Sequence, residues 1–191
     1  GKERSLRMVL NWGCNWKTRA EIGVTWFFGH FLSDHEQDPA LARKIAADFN
    51  RAGLTTKITA NYKEEAFKKG ILNSALASVC ALTRQTMKAA MDDPEMVHTV
   101  TRILEESIRV AKALKFGFDP EFVNTALGYL SKGGDHKPSM LIDVENARPT
   151  ENEFHCGKLL HYARAHGIDV PVIETIYHLV KNLEHTYARV I

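Results

Sequence analysis

Apolar residues recur at helical spacing through most of the chain after residue 38. This period predicts a series of amphipathic helices, each burying one face. The longest should run from about residue 64 to about residue 90, with a buried stripe of Phe67, Ile71, Ala75, Val79 and Leu82. Later helices are predicted to start near Pro94, Pro120, Ser139, Thr150 and Pro171.

The first 37 residues have a different pattern. Leu6 to Trp12 is apolar and Gly23 to Leu32 is rich in aromatic residues, both typical of strands. Asp38 followed by Pro39 is typical of a helix start. The sequence therefore predicts a mainly α fold: a multi-helix bundle over residues 38–191, preceded over residues 1–37 by a short β remnant of another domain.

Composition excludes several classes of function. The 191 residues are 45% hydrophobic and 25% charged, which is ordinary for a globular protein. The net charge is +2 without a polybasic run, so no nucleic-acid partner is expected. The longest apolar stretch, residues 24–32, is too short to span a bilayer, so no membrane partner is expected either. Three scattered cysteines indicate reduced thiols in the cytoplasm, and the histidine spacing predicts no metal site.

Lys69 and Asn73 are four residues apart, so they share one face of the longest predicted helix. The spacing alone favours a simpler interpretation, a solvent-exposed helix face. A lysine in a partly closed site can instead act as a general acid, because its ammonium is charged at neutral pH and reaches far on a flexible stem. The pair is therefore a candidate site only in combination with other residues.

Ser139 and Glu151 lie near two predicted helix N-termini. Ser139 is placed to cap one helix, and Thr150 and Glu153 have the spacing of a capping box for the next. The same positions place a hydroxyl, a carboxylate and free backbone N–H groups near two helix N-termini, where a carboxylate-bearing ligand binds favourably. On their own, however, the two residues are interpreted as helix caps.

In combination, these residues resemble the C-terminal half of the ketopantoate reductase family. The resemblance rests on Lys69 and Asn73, on the segment from Lys137 to Glu151, and on residues 157 and 165–171. It implies a helical bundle like the C-terminal domains of ketopantoate reductase and 6-phosphogluconate dehydrogenase. Residues 1–37 would then be the end of a Rossmann nucleotide-binding domain, and residues 38–191 the substrate-binding and catalytic domain.

The resemblance also implies an activity, the reduction of 2-dehydropantoate to pantoate with NADPH, in pantothenate and coenzyme A biosynthesis. Lys69 would be the general acid, and Glu151 the second catalytic residue, accepting a hydrogen bond from the substrate hydroxyl. Asn73 and Ser139 would bind substrate. The implied partners are a small 2-oxo acid and, in a homodimer, a second copy of the chain.

Two features depart from the family pattern. Ala77 and Ser78 stand where many members have a second substrate-binding asparagine followed by proline, which leaves the identity of the 2-oxo acid open. The chain also has no G-x-G-x-x-G turn, so its cofactor-binding residues are unknown and the fragment alone is expected to be inactive. Two alternatives remain: a relative that reduces a different 2-oxo acid, and a non-catalytic dimerisation module that pairs through the apolar face of residues 171–190.

Overall fold

A computed structural model describes residues 5–27, 29–35 and 38–188 of the chain. The chain divides into two compact units, residues 1–69 and residues 70–191, and the division falls within one helix. The sequence predicted a change of domain at residues 37 and 38 instead. The assignment of residues 1–37 to a nucleotide-binding domain stays a prediction.

The first unit contains two small sheets. Strands β1 (Met8–Val9), β4 (His30–Ser33) and β5 (Thr56–Thr59) form one sheet in the order β1-β4-β5, with β1 antiparallel and β5 parallel to the central β4. Strands β2 (Trp12–Thr18) and β3 (Glu21–Phe27) form a separate antiparallel hairpin. The sequence indicated strands here but missed this hairpin, because its turn at Arg19 and Ala20 lacks glycine.

Helix α1 (Pro39–Arg51) connects the parallel strands β4 and β5. Asp38 caps it as predicted, since its carboxylate accepts from the backbone N–H of Leu41 at 3.0 Å. At the other end, the Asn50 amide donates to the carbonyl of Thr56 and accepts from the N–H of Thr56, both at 2.9 Å. The helix is thereby tied to the strand that follows it.

The second unit is helical, and the predicted mainly α fold is confirmed. Helix α2 (Tyr62–Thr83) starts in the first unit and continues into the second. The remaining helices are α3 (Met87–Asp92), α4 (Pro94–Ala113), α5 (Phe122–Leu130), α6 (Ser139–Glu145), α7 (Cys156–Ala165) and α8 (Pro171–Ala188), with a short 3₁₀ turn at Ser131–Gly133.

The single helix predicted from residue 64 to residue 90 is wrong. Arg84 has a φ of +55°, in the left-handed region, which ends α2 at Thr83. Thr86 then caps α3 by accepting from the N–H of Ala89 at 3.3 Å. Residues 83–86 are all polar, but apolar residues resume at Met87, so the sequence prediction extended one helix across the break.

The core of the second unit surrounds the later part of α2. Residues 74–81 are all buried, which is more than the single predicted stripe. One cluster joins Ala77 and Ala81 to Met140 and Val144 of α6 and to Val180 of α8. Ile173 and Val180, on the apolar face of α8, are fully buried within this unit. The apolar face that motivated the dimerisation alternative is therefore largely covered by the unit's own core.

Candidate active site

Lys69 is held by the backbone of the first unit. It lies on α2, partly buried, and its ammonium donates to the carbonyl oxygen of Leu10 in the connection between β1 and β2. Its neighbour Lys68 instead pairs with the carboxylates of Glu64 at 3.0 Å and Glu65 at 3.2 Å. The Lys69 ammonium is thus directed by a specific acceptor, which a solvent-exposed helix face does not require.

A histidine that the sequence did not single out lies beside this lysine. His30 is 1% exposed, and its Nδ1 accepts from the backbone N–H of Asn11 at 3.1 Å. The indole ring of Trp12 meets the imidazole edge-on, with 5.7 Å between ring centroids. Burial and then the charge of Lys69 lower the pKa of His30 below its usual 6.5, so the imidazole is neutral at neutral pH.

Asn73 lies one helical turn after Lys69 and belongs to the second unit. Its side chain is partly buried, whereas the turn that follows enters the core. Ala77, where the resemblance described above leads us to expect an asparagine, is 7% exposed and packs in the apolar cluster with Met140 and Val180. This position is therefore used for packing, and an amide here would have to be buried among apolar side chains.

Ser139 is exposed and is the first residue of α6. The predicted capping role is wrong: Pro138 occupies the N-cap position and no side chain caps the helix. The Lys137 ammonium instead donates to both carboxylate oxygens of Glu145, at 2.7 and 2.9 Å, across the length of α6. Ser139 is thus exposed, and its hydroxyl does not cap α6.

Glu151 lies in a turn ahead of α7, with a side chain that is 61% exposed. Its Oε2 is 3.8 Å from Nε2 of the buried His155. The predicted capping box is wrong, because α7 starts only at Cys156. Glu153 accepts from the Tyr177 hydroxyl at 2.9 Å, and its carboxylate is 3.2 Å from the Lys181 ammonium, so it does not cap the helix through Thr150.

Side chains and backbone groups of α8 hold the segment that carries Glu151. The Glu184 carboxylate accepts from the N–H of Thr150 at 2.9 Å and from its hydroxyl at 2.6 Å. The Tyr187 hydroxyl donates to the carbonyl of Arg148 at 2.7 Å, and the buried Asn152 amide donates to the carbonyl of Tyr177 at 3.0 Å. The segment is therefore fixed on both sides of Glu151.

The carboxyl group of Glu184 is the central acceptor of this network. Burial favours its neutral form, but hydrogen bonds from Thr150 and from the Lys181 ammonium outweigh burial, so the pKa of Glu184 lies below its usual 4.5. The sequence indicated Glu184 only as part of the last helix. The hydrogen bonds between Glu184 and Thr150 form only when α8 packs against the loop before α7, and the sequence does not display this packing.

Each candidate residue thus has a fixed place within its own unit. Lys69 belongs to the first unit, and Asn73, Ser139 and Glu151 belong to the second. Three helices of the second unit contribute to one apolar cluster. They are α2, which carries Asn73, α6, which carries Ser139, and α8, which holds the Glu151 segment. The relative positions of these three side chains therefore depend on a shared core.

Gly128, Gly133 and Gly134 do not form a dinucleotide-binding turn. Gly128 lies inside α5, and a Cβ at Gly133 would be 2.6 Å from the sulfur of Met87, so this glycine serves close packing. Gly134, with a φ of +58°, forms a turn whose carbonyl accepts from the N–H of Lys88 at 2.8 Å. A glycine turn that leads from a strand into a helix, as pyrophosphate binding requires, is absent from the part of the chain that the structure describes.

The thiols and histidines do not assemble a metal site within the described residues, where no group of three or more possible ligands occurs. Burial raises the pKa of Cys80 to about 12 and that of Cys156 to about 11. Both therefore remain neutral thiols at physiological pH, and Cys14 is exposed. No helix among residues 5–27, 29–35 and 38–188 combines the length and apolar character needed to cross a membrane.

Comparison with known proteins agrees with this architecture. The chain is 27% identical over 141 residues to the 2-dehydropantoate 2-reductase of Pyrococcus horikoshii, a match that covers 74% of this chain and 47% of that protein. The relative from Nostoc is 29% identical over 147 residues, covering 74% of this chain and 44% of its own. The chain therefore spans about half the length of the curated relatives that it matches.

Solved structures show the same fold. A dimeric ketopantoate reductase from Staphylococcus aureus superposes with a TM-score of 0.81 at 23% identity, over 95% of this chain and 62% of that one. D-mandelate dehydrogenase, in complex with NADH and anilino(oxo)acetate, superposes with a TM-score of 0.82 at 19% identity, over 98% of this chain and 62% of that one. The family model described as ketopantoate reductase PanE/ApbA C terminal matches residues 61–184. The chain belongs to the ketopantoate reductase C-terminal family.

Proposed function

We propose that this chain is the substrate-handling part of a cytoplasmic, NADPH-dependent 2-oxo acid reductase that converts 2-dehydropantoate to pantoate. The observation that carries the proposal is the directed ammonium of Lys69, which donates to the Leu10 carbonyl at the site where the family resemblance expects a general acid. The relatives from Pyrococcus horikoshii and Nostoc are 2-dehydropantoate 2-reductases, and this supports the proposed class of reaction.

Lys69 supplies the proton in this proposal. Reduction of a ketone at its carbon leaves negative charge on its oxygen, and an ammonium placed there stabilises the transition state more than the ground state. The ammonium of Lys69 carries three N–H donors, so it can donate to the Leu10 carbonyl and to a substrate oxygen together. The backbone contact therefore orients the proton donor without consuming it.

The other candidate residues bind substrate. Asn73 offers an amide one turn from Lys69, and Ser139 offers an exposed hydroxyl. Glu151, with an exposed carboxylate on a fixed segment, accepts a hydrogen bond from the substrate hydroxyl. These groups recognise a polar hydroxy acid, whereas the described residues lack the glycine turn for NADPH. We propose that the cofactor is bound mainly by residues outside this chain, which alone would then be inactive.

The test is NADPH oxidation by the longest natural polypeptide that contains this chain, with 2-dehydropantoate as substrate. Lys69→Ala should lower kcat by about a hundred- to a thousand-fold, because one preorganised donor is lost. Lys68→Ala is the matched control: it removes the same charge from the next position, where the ammonium pairs with Glu64 and Glu65. It should leave kcat within a few fold. A Lys69→Ala variant that melts earlier but keeps its turnover would refute the proposal.

A different 2-oxo acid is the second candidate substrate. The observation that favours it is Ala77, because alanine supplies no amide at the position where the family resemblance expects a substrate-binding asparagine. Ala77 instead lies in the apolar cluster. A panel of 2-oxo acids with branched, linear and aromatic side chains would identify the preferred substrate through kcat/KM. If 2-dehydropantoate gave the highest value, this candidate would be rejected.

We also propose a homodimer, as the name of the Staphylococcus aureus relative suggests for that protein. Light scattering of the same polypeptide across a hundredfold range of concentration would show twice the monomer mass. A monomer at every concentration would rule out the homodimer and, with it, the dimerisation-module alternative.

A further inference from the structure

One peptide unit joins Lys69 to His30. The carbonyl of Leu10 accepts from the Lys69 ammonium, and the N–H of Asn11 donates to Nδ1 of His30 at 3.1 Å. These two groups belong to the same planar amide, in which the C=O and N–H bonds point in opposite directions. Rotation of the amide would move both hydrogen bonds, so the contact that fixes one end also fixes the other.

The location of this amide explains why it needs side-chain partners. Leu10 and Asn11 lie between β1 and β2, where the chain leaves one sheet before it enters the hairpin. Backbone groups at such a point have no ladder partner and must be satisfied in another way. The side-chain amide of Asn11 donates to the carbonyl of Gly29 at 2.9 Å, which attaches this connection to the residue before β4.

His30 is the rigid end of the arrangement. It begins the central strand β4, its backbone N–H donates to the carbonyl of Thr55 at 2.7 Å, and its side chain is almost completely buried. Nδ1 can accept a hydrogen bond only when it carries no proton. The lowered pKa of His30 is consistent with that state, in which the ring hydrogen of the neutral imidazole resides on Nε2.

We infer that His30 is a positioning residue for Lys69, acting through the amide between Leu10 and Asn11. Its Nδ1 holds the N–H of this amide, and the opposite carbonyl then aims the ammonium of Lys69. The catalytic consequence rests on the proposed function, because only a proton donor benefits from such aiming. The positional relationship itself does not depend on any reaction.

Two amide substitutions separate positioning from a purely structural role. In His30→Asn, the side-chain oxygen can occupy about the position of Nδ1 and accept from the N–H of Asn11. In His30→Gln, the longer side chain places its amide near the position of Nε2, so a polar group is kept but the acceptor is displaced. His35→Gln is the matched control, because Nδ1 of His35 also accepts a backbone N–H, that of Asp38 at 2.9 Å, at a site without a catalytic lysine.

The first measurement requires no activity. The longest natural polypeptide that contains this chain is labelled with ¹³C at the ε-carbons of lysine, and the Lys69 signal is assigned through Lys69→Ala. The chemical shift of this signal should be distinct from those of exposed lysines in the unmodified protein, in His30→Asn and in His35→Gln. In His30→Gln it should move to the value of exposed lysines. An unchanged Lys69 signal in His30→Gln would overturn the inference.

The second measurement is kinetic. His30→Gln should lower kcat about tenfold with KM nearly unchanged, whereas His30→Asn and His35→Gln should stay within about twofold of the parent, since misplacement of a donor by about 1 Å costs up to a hundredfold in rate. Equal losses in the Asn and Gln variants would also overturn the inference. If the Lys69 signal responds as expected but the parent reduces no 2-oxo acid, the proposed function fails and the positioning relationship stands.

Discussion

Lys69 and Glu151, the two proposed catalytic residues, are held by different means. Lys69 is directed by a backbone carbonyl in a connection between strands of the first unit. The segment that carries Glu151 is held in the second unit by contacts from α8, among which are the side chains of Glu184 and Tyr187. A backbone acceptor survives most substitutions at its own position, whereas a side-chain acceptor is lost with a single substitution.

This difference predicts that the Glu151 segment is the more easily disturbed of the two. The chain also offers a way to observe each unit separately. All three tryptophans, Trp12, Trp16 and Trp26, belong to the first unit, so tryptophan fluorescence reports its unfolding. Most of the helical residues lie in the second unit, so that unit dominates the far-ultraviolet circular dichroism signal.

The largest stability effect is expected at Glu106. Its carboxylate is fully buried and accepts from the N–H groups of Val172 and Ile173, at 3.2 and 2.9 Å, which caps the start of α8. Glu106→Ala removes the acceptor of both N–H groups, that of the buried Ile173 and that of the partly buried Val172, so we expect a loss of about 3 kcal/mol in the free energy of unfolding. Urea unfolding followed by circular dichroism measures this loss.

Glu105→Ala is the matched control for this prediction. Glu105 is the preceding residue of α4, and its 42% exposed side chain pairs with Arg102 at 2.8 Å. Its removal should cost less than about 1 kcal/mol. Similar losses in the two variants would contradict this prediction. Because Glu106 lies in the second unit, the circular dichroism midpoint of Glu106→Ala should also move further than its fluorescence midpoint.

A smaller, pH-dependent effect is expected at Glu184. Because its pKa is lowered in the folded state, the ionised carboxylate contributes stability that is fully present above pH 4.5 and is lost as the pH falls through the folded-state pKa. Glu184→Gln should therefore lower the free energy of unfolding by about 1–2 kcal/mol at pH 7, where charged hydrogen bonds are lost. Below pH 4.5 the difference between the two proteins should shrink. A difference that is constant from pH 7 to pH 3 would show that ionisation of Glu184 does not matter.

The smallest effect is expected at Ala147, within the segment that leads to Glu151. Ala147 has a φ of +52°, a conformation that strains any residue with a Cβ. Ala147→Gly should therefore raise the free energy of unfolding by about 0.5 kcal/mol, since relief of strain slightly exceeds the entropic cost of glycine. Ala89→Gly, inside α3, makes the same chemical change at a helical position and should lower it by about 0.5–1 kcal/mol. Thermal unfolding should show opposite signs for the two variants.

Much of the fold was predictable because it depends on local chemistry. Asp38 and Pro39 correctly marked the start of α1, and Pro94 and Pro171 marked those of α4 and α8. These positions act through backbone geometry and capping, which the sequence displays directly. The break at Arg84 was missed because an arginine gives no sign that it will adopt a positive φ.

The candidate site was less predictable, because its supporting contacts are long-range. Thr150 looked like a helix cap, but its hydroxyl donates to Glu184, 34 residues away in the sequence. Nothing in the sequence around His30 indicates that it meets the same amide as Lys69, because that relationship is formed by backbone groups. Family resemblance identified the candidate residues, and the three-dimensional arrangement identified the residues that hold them.

The later part of α2 has a consequence for mutational tolerance. From Ser74 to Ala81 every residue is buried, and most of the side chains are small. In a saturation mutagenesis experiment, the tolerance of this stretch to substitution should therefore not alternate with the helical period between tolerant and intolerant positions. It should form one uninterrupted band in which larger residues are rejected at every position, while Lys63 and Ala66, exposed at the start of the same helix, accept most replacements.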